Sequence, residues 1–256
     1  MVTINMPPVI VHAPHASTHI PEGVRAQILL DDRQLEHELR MVTDHFTNEM
    51  VDIEALGAVR IQYEYSRLVV DPERFRHDTN EVMATKGLGA VYTRTASGEP
   101  LRDIGPGVRE RLLRRFYDPY HERFNATVAE LLELHNRSLI VDLHSFSSWP
   151  LPYELDKAPD RPDICLGTDE YHTQDWLVDL AAAYFTSKGL QVRLNRPFAG
   201  TFVPADFYPK DRRVASIMIE VNRALYMDEG TGDKSDGFPV VQDLITGLIS
   251  KAEAAV

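Results

Sequence analysis

The chain has 256 residues, 43% of them hydrophobic, which suits one large α/β domain over residues 1–256 with a substantial core. A formal net charge of −12 with no basic run excludes an extended nucleic-acid surface or an anionic-membrane anchor. Cys165 is the only cysteine, which excludes an intrachain disulfide and any cysteine-rich zinc or iron–sulfur site, so a metal must rest on histidines and carboxylates.

Residues 1–10 show neither the basic start nor the apolar core of a signal peptide, and no apolar run approaches ~18 residues, so the cytoplasm is the expected location. The β-branched run 9–11 predicts a short strand that ends in His12-Ala13-Pro14-His15-Ala16-Ser17-Thr18-His19. Pro14 holds the chain extended and small residues follow, so His15 is the histidine placed to project from a loop. His12 and His19 are expected to be packing or surface residues. Residues 31–42 carry apolar positions at helical spacing, and a second helical phase through Phe46, Met50, Ile53 and Leu56 stops at Gly57. Between the two, Thr43-Asp44 offers an N-cap and a first-turn carboxylate.

Residues 58–65 read as a strand and 68–70 as a shorter apolar run bracketed by Arg67 and Arg74, whose planar donor forks suit carboxylates. Residues 80–106 are rich in Gly, Thr and Ser and predict a long loop over one face. Helical spacing returns over 108–134, with a bend or new start at Pro119 and His121 on a charged face. This segment leads into Leu139-Ile140-Val141-Asp142-Leu143, a strand apolar enough to be buried on both faces of a mostly parallel sheet. His144-Ser145-Phe146-Ser147 follows, where strand gives way to loop, the edge at which open α/β sheets bind ligands. Residues 149–167 contain four prolines and are expected to be irregular. A helix over 175–188, a strand over 190–194, a buried strand over 214–221, a loop over 227–237 and a closing helix over 240–255 complete the chain. Glu220 is the single carboxylate in the 214–221 strand, open to a role as a base or to a salt bridge with Arg223.

The order His15, Asp44, Arg67, Arg74, His144, Glu220 resembles the layout of the zinc carboxypeptidases: His144-Ser145-Phe146-Ser147 is similar to their second histidine motif and Asp71-Pro72-Glu73-Arg74 to their Asp-x-Asn-Arg segment. Within that superfamily the chain resembles the N-formylglutamate amidohydrolases more closely, through Pro14-His15-Ala16-Ser17, Thr43-Asp44 and Ile219-Glu220-Val221-Asn222-Arg223. Ser17 stands where that family has a glycine. Glu73 stands where it has an asparagine, setting a negative charge beside the arginine.

The resemblance implies a single three-layer α/β domain, its mostly parallel mixed sheet flanked by helices, of the zinc carboxypeptidase-like (phosphorylase/hydrolase-like) type. It implies one zinc ion on His15, Asp44 and His144, with Glu22 the alternative to Asp44. That set of two imidazoles and one carboxylate matches an open catalytic zinc site. Glu220 would then move the proton and Arg67 stabilise the oxyanion, while Arg74, Arg223 and Ser145 would contact a small N-acyl amino acid. The implied activity is hydrolysis of an acidic N-acyl amino acid such as N-formylglutamate, with a place in histidine degradation. A metallocarboxypeptidase, another N-acyl amino acid deacylase and a noncatalytic small-molecule-binding protein are the alternatives.

Overall fold

A computed structural model of the protein describes residues 7–255. In chain order the regular elements are β1 (Val9–Ala13), α1 (Glu22–Arg25), α2 (Asp32–Val42), α3 (Ile53–Leu56), β2 (Val59–Gln62), α4 (Pro106–Leu112), α5 (Asp118–His135), β3 (Ser138–Phe146), β4 (Ile164–Gly167), α6 (Asp175–Ser187), β5 (Val192–Leu194), β6 (Val214–Asn222) and α7 (Phe238–Ala255), with short 3₁₀ turns between some of them. The strands form one sheet in the order β2-β1-β3-β6-β4-β5. β2, β1, β3 and β6 run parallel, whereas β4 meets β6 antiparallel and β5 follows β4 in parallel.

β3 and β6 form the centre. Every residue of both is buried, which is why their sequences are apolar on both faces rather than alternating. Side chains leave a strand on opposite faces in turn, and here the two faces carry different work. Val9, Val11, Leu139, Val141, Leu143, Ile217 and Ile219 face α6 and α7, packing against Leu177, Phe185, Ile245 and Ile249. Ile10, Ile140 and Val214 face the other way, against Phe124, Val128 and Leu131 of α5. Burying one such Phe or Leu contributes roughly 1.5–3 kcal/mol, so the two helical layers clamp the sheet from both sides. On this second face, beyond the apolar residues, His12, Asp142, His144 and Glu220 follow at the even positions toward the strand ends. The chemistry of the protein is thereby gathered on one face and one edge of the sheet.

Several local expectations are corrected. Thr43 closes α2 as its C-cap, its N–H bonded to Leu39 O, while the capping box that opens α2 belongs to Asp31 and Gln34. The helical phase from Phe46 to Leu56 is broken: Phe46 adopts φ 64°, a 3₁₀ turn spans Thr47–Glu49, and only Ile53–Leu56 is α-helical, capped by Gly57 as expected. Asp44 therefore follows a helix rather than opening one. The 68–70 run is fully buried without being a strand, and β2 is shorter than the apolar alternation implied. Residues 149–167 are irregular only as far as β4. The 108–134 helix is interrupted by a π-helical turn at Leu113–Tyr117 just before Pro119.

The long segment between β2 and α4 carries its own small core. Met83, Leu88, Tyr92 and Leu101 pack on Leu35, Val42 and Leu68, so it is a seated loop rather than an open one. No described helix is long and apolar enough to cross a membrane.

Candidate metal centre

Three segments converge at the C-terminal edge of β1 and β3. Pro14 delivers His15 from the end of β1, and the Asp44 N–H donates to the His15 carbonyl at 3.0 Å, fastening the loop after α2 to the loop after β1. His144 comes from β3 itself. The three side chains are buried and each offers a ligand atom within 4.8 Å of the others. His144 Nδ1 lies 3.0 Å from Asp44 Oδ2 and His15 Nδ1 lies 3.5 Å from the same oxygen. Glu22, the alternative carboxylate, sits exposed in the first turn of α1 and is not part of this group.

The far side of each of these groups is held. His15 Nε2 is 2.9 Å from Asp71 Oδ1, and His144 Nε2 is 3.0 Å from Asp142 Oδ1. Arg223 reaches Asp44 Oδ1 with Nη2 at 3.4 Å, the Met41 carbonyl with Nη1 at 2.9 Å, and Ser145 Oγ with Nε at 3.3 Å. Arg223 thus braces Asp44 and forms no ion pair with Glu220 among the described residues. Asp71 is braced in turn: Arg67 donates Nε and Nη2 to its Oδ2 at 3.1 and 2.7 Å, and the Tyr92 hydroxyl donates to the same atom at 2.7 Å. Carboxylates that grip the outer nitrogen of a histidine fix its ring and raise its ligand basicity, an arrangement shared by metal-binding histidines. His15 Nδ1 is buried and has no hydrogen-bond partner among the described residues. An imidazole whose outer nitrogen is held and whose inner nitrogen is orphaned toward a carboxylate fits a cation between them.

The electrostatics agree with that fit. Burial alone pushes the Asp44 carboxyl up, but hydrogen bonds with His144 and His15 hold it far below the usual range. Burial and the Arg67 charge oppose a proton on His15, yet Asp71 and Asp44 raise its pKa. His144 is raised further despite its burial, because Glu73 and Asp142 are both negative neighbours. In each case positive charge is favoured inside the group.

Glu220 lies beside His144, its register partner across β3 and β6. Burial pushes its carboxyl up to about 8, and its Oε2 has no partner among the described residues. Arg74 is more open than Arg67, its side chain 26% exposed, and it stands 3.7 Å from Asp71 and 3.6 Å from Glu81 with Nε free of hydrogen bonds among the described residues. Glu73 points into the centre: Oε1 is 3.3 Å from His144 Nε2 and Oε2 is 3.7 Å from His15 Nδ1.

Sequence reading missed the roles of Asp71, Asp142 and Tyr92, and it set His12 aside. The signal for Asp142 was present, since a residue two before His144 on one strand shares its face. His12, its register partner on β1, is fully buried with Nδ1 2.8 Å from Asp142 Oδ1. His19 is exposed and stacks on Tyr65, as its surface reading implied. His121 was expected on a charged face; it is partly buried, stacked on Tyr117, with Nε2 2.8 Å from the Pro72 carbonyl.

The fold is shared with solved structures. An N-formylglutamate amidohydrolase from Ralstonia eutropha JMP134 superposes with a TM-score of 0.84 at 23% identity, covering 98% of this chain and 94% of that one. The gene product Atu2144 from Agrobacterium tumefaciens superposes with a TM-score of 0.71 at 20% identity, covering 96% and 92%. No curated protein sequence matches the chain. The family model for N-formylglutamate amidohydrolase matches residues 7–227, a span that holds every residue of the centre, and the chain belongs to that amidohydrolase family.

Proposed function

We propose that the protein hydrolyses the amide of an acidic N-acyl amino acid, N-formylglutamate first among them, with one zinc ion held by His15 Nδ1, Asp44 Oδ2 and His144 Nδ1. The observation that carries this reading is the buried, unpartnered His15 Nδ1, facing Asp44 while Asp71 holds the other ring nitrogen. The donor set contains no sulfur and leaves a coordination position open, the pattern of catalytic rather than structural zinc. When bound, such an ion polarises the scissile carbonyl and makes water nucleophilic at neutral pH.

The remaining steps belong to the protein's own side chains. In its ionised form Glu220, whose buried Oε2 has no hydrogen-bond partner among the described residues, accepts a proton from the attacking water and returns it to the leaving nitrogen. As the C–N bond breaks, that proton completes the free amine and the water oxygen stays on the acyl group as formate. Arg67, fixed by Asp71, supplies positive charge for the oxyanion, and Arg74, the more exposed of the two arginines, takes the substrate carboxylate. Arg223 and Ser145 act in this reading by holding Asp44 in place.

The test is metal content of protein purified without chelator, together with formate release from N-formylglutamate. Zinc near one equivalent or more with turnover supports the reading. Metal-free protein without turnover favours a noncatalytic binding protein, and zinc with cleavage only of C-terminal peptide bonds favours a carboxypeptidase.

A further inference from the structure

A second group of ligand atoms lies next to the first. His12, Glu73 and Asp142 each offer a nitrogen or oxygen within 4.8 Å of the others. His12 Nδ1 is 2.8 Å from Asp142 Oδ1 and 3.7 Å from Glu73 Oε1. His12 and Asp142 are buried in the sheet, and the Glu73 side chain is 17% exposed, which leaves an approach from solvent. Here too the outer atoms are held. His12 Nε2 is 2.5 Å from the Tyr120 hydroxyl, and the Phe202 N–H donates to Asp142 Oδ2 at 2.9 Å. Both groups therefore have inner atoms that converge and outer atoms that are tied down.

Ordinary hydrogen bonding accounts for only part of this group. The ring nitrogens His12 Nδ1 and His144 Nε2 both approach Asp142 Oδ1, at 2.8 and 3.0 Å. Glu73 Oε1 is left buried with no hydrogen-bond partner among the described residues, although it is negative and faces both rings. A buried carboxylate oxygen without a donor is destabilising, and a cation at this point would offset that cost.

We propose that a second divalent cation binds here, held by His12 Nδ1, Asp142 Oδ1 and Glu73 Oε1. One imidazole and two carboxylates without thiolate suit zinc or manganese. The site uses different ligand atoms from the first centre, to which it is linked through Asp142, hydrogen-bonded to His144 Nε2, and through Glu73, whose Oε1 lies 3.3 Å from His144 Nε2 and whose Oε2 lies 3.7 Å from His15 Nδ1. A cation there also neutralises Glu73, the negative charge that otherwise stands beside Arg74.

The experiment is to strip the protein with chelator, reload it with Zn²⁺ or Mn²⁺, and count bound ions per chain by calorimetry and elemental analysis. Wild type should bind two, Glu73→Gln one, and His15→Ala one, the ion kept by His15→Ala being the second. Circular dichroism confirms that each variant is folded, and Glu73→Gln, a change of charge at constant shape, decides alone if His15→Ala does not fold. A wild type that binds a single ion, or a Glu73→Gln chain that binds both ions or neither, overturns the second site. A single wild-type ion that His15→Ala removes and Glu73→Gln retains would do so while leaving the first centre intact, whereas a wild type that binds none removes both.

Discussion

His144 and Glu220 are register partners on adjacent parallel strands, so their side chains leave the sheet on the same face and at the same edge. This relationship couples the two proposed functions of the site, metal binding and proton transfer. The strand that supplies the His144 imidazole to the candidate centre is bonded along its length to the strand that supplies the unpartnered carboxyl. Nine consecutive residue pairs fix that register, and a slip of one residue would turn Glu220 to the α6 and α7 side. Rigid strands place such groups more reliably than loops do.

Glu220→Gln should separate proton transfer from structure. Glutamine keeps the shape but cannot accept and return a proton, so turnover of N-formylglutamate should fall roughly 100-fold to 10,000-fold. Zinc content and melting temperature should stay near wild type, because Glu220 ligates nothing and pairs with no arginine among the described residues. Full activity in a zinc-loaded, stable variant would remove Glu220 from the mechanism.

Asp71→Asn tests the support behind His15. Asparagine keeps the size of the side chain but weakens the grip on His15 Nε2, and zinc affinity should fall roughly 10-fold to 100-fold in a competition assay with a chelating dye. Arg67 loses its buried partner in the same change, so unfolding free energy should drop by up to about 3–5 kcal/mol. Unchanged zinc affinity would show that Asp71 serves Arg67 alone. His144→Ala, by contrast, deletes a proposed ligand of the first centre and should remove the ion held by His15 and Asp44.

Much of the frame was legible because it rests on local patterns. The apolar runs that become β3 and β6 need only their composition to be recognised as buried strands, and His144 is marked by the change to Ser145 and Ser147 directly after it. Asp44 was found for a reason the structure replaces: Thr-Asp reads as a helix start, whereas the residue is placed by its N–H bond to the His15 carbonyl. The parts that were not legible are relations between distant segments. Asp71 meets His15 across 56 positions and Asp142 meets His12 across 130, and no local periodicity reports either. β4 escaped notice because four residues after a proline-rich stretch carry too little pattern to distinguish from loop.

Arg74→Ala tests recognition of the substrate. Arg74 is the more exposed arginine and reaches Asp71 and Glu81 only at 3.7 and 3.6 Å, whereas Arg67 donates Nε and Nη2 to Asp71. Removing a charge-assisted contact costs about 1.5–3 kcal/mol, or on the order of tenfold to a hundredfold in kcat/KM. The wild type should prefer N-formylglutamate to a neutral amide of the same skeleton, and the variant should lose that preference. Equal kinetics of the two proteins on N-formylglutamate would reject Arg74 as the clamp.

His121 makes the stability of the fold sensitive to mild acid. Burial between α5 and the loop that carries Glu73 pushes its pKa down to about 4, although its bond to the Pro72 carbonyl acts the other way. In the unfolded chain the ring has its ordinary pKa near 6.5. Between those values the unfolded state binds a proton that the folded state refuses, so stability declines as pH falls through 6.5 and levels off below about 4. The full displacement corresponds to about 3 kcal/mol at ~1.4 kcal/mol per pH unit. His121→Gln removes the titrating group, so its urea unfolding should lose less stability than wild type between pH 7 and pH 4, by up to that amount. If the stability difference between the two proteins stays constant across this range, His121 titrates normally in the fold and the predicted acid sensitivity is absent.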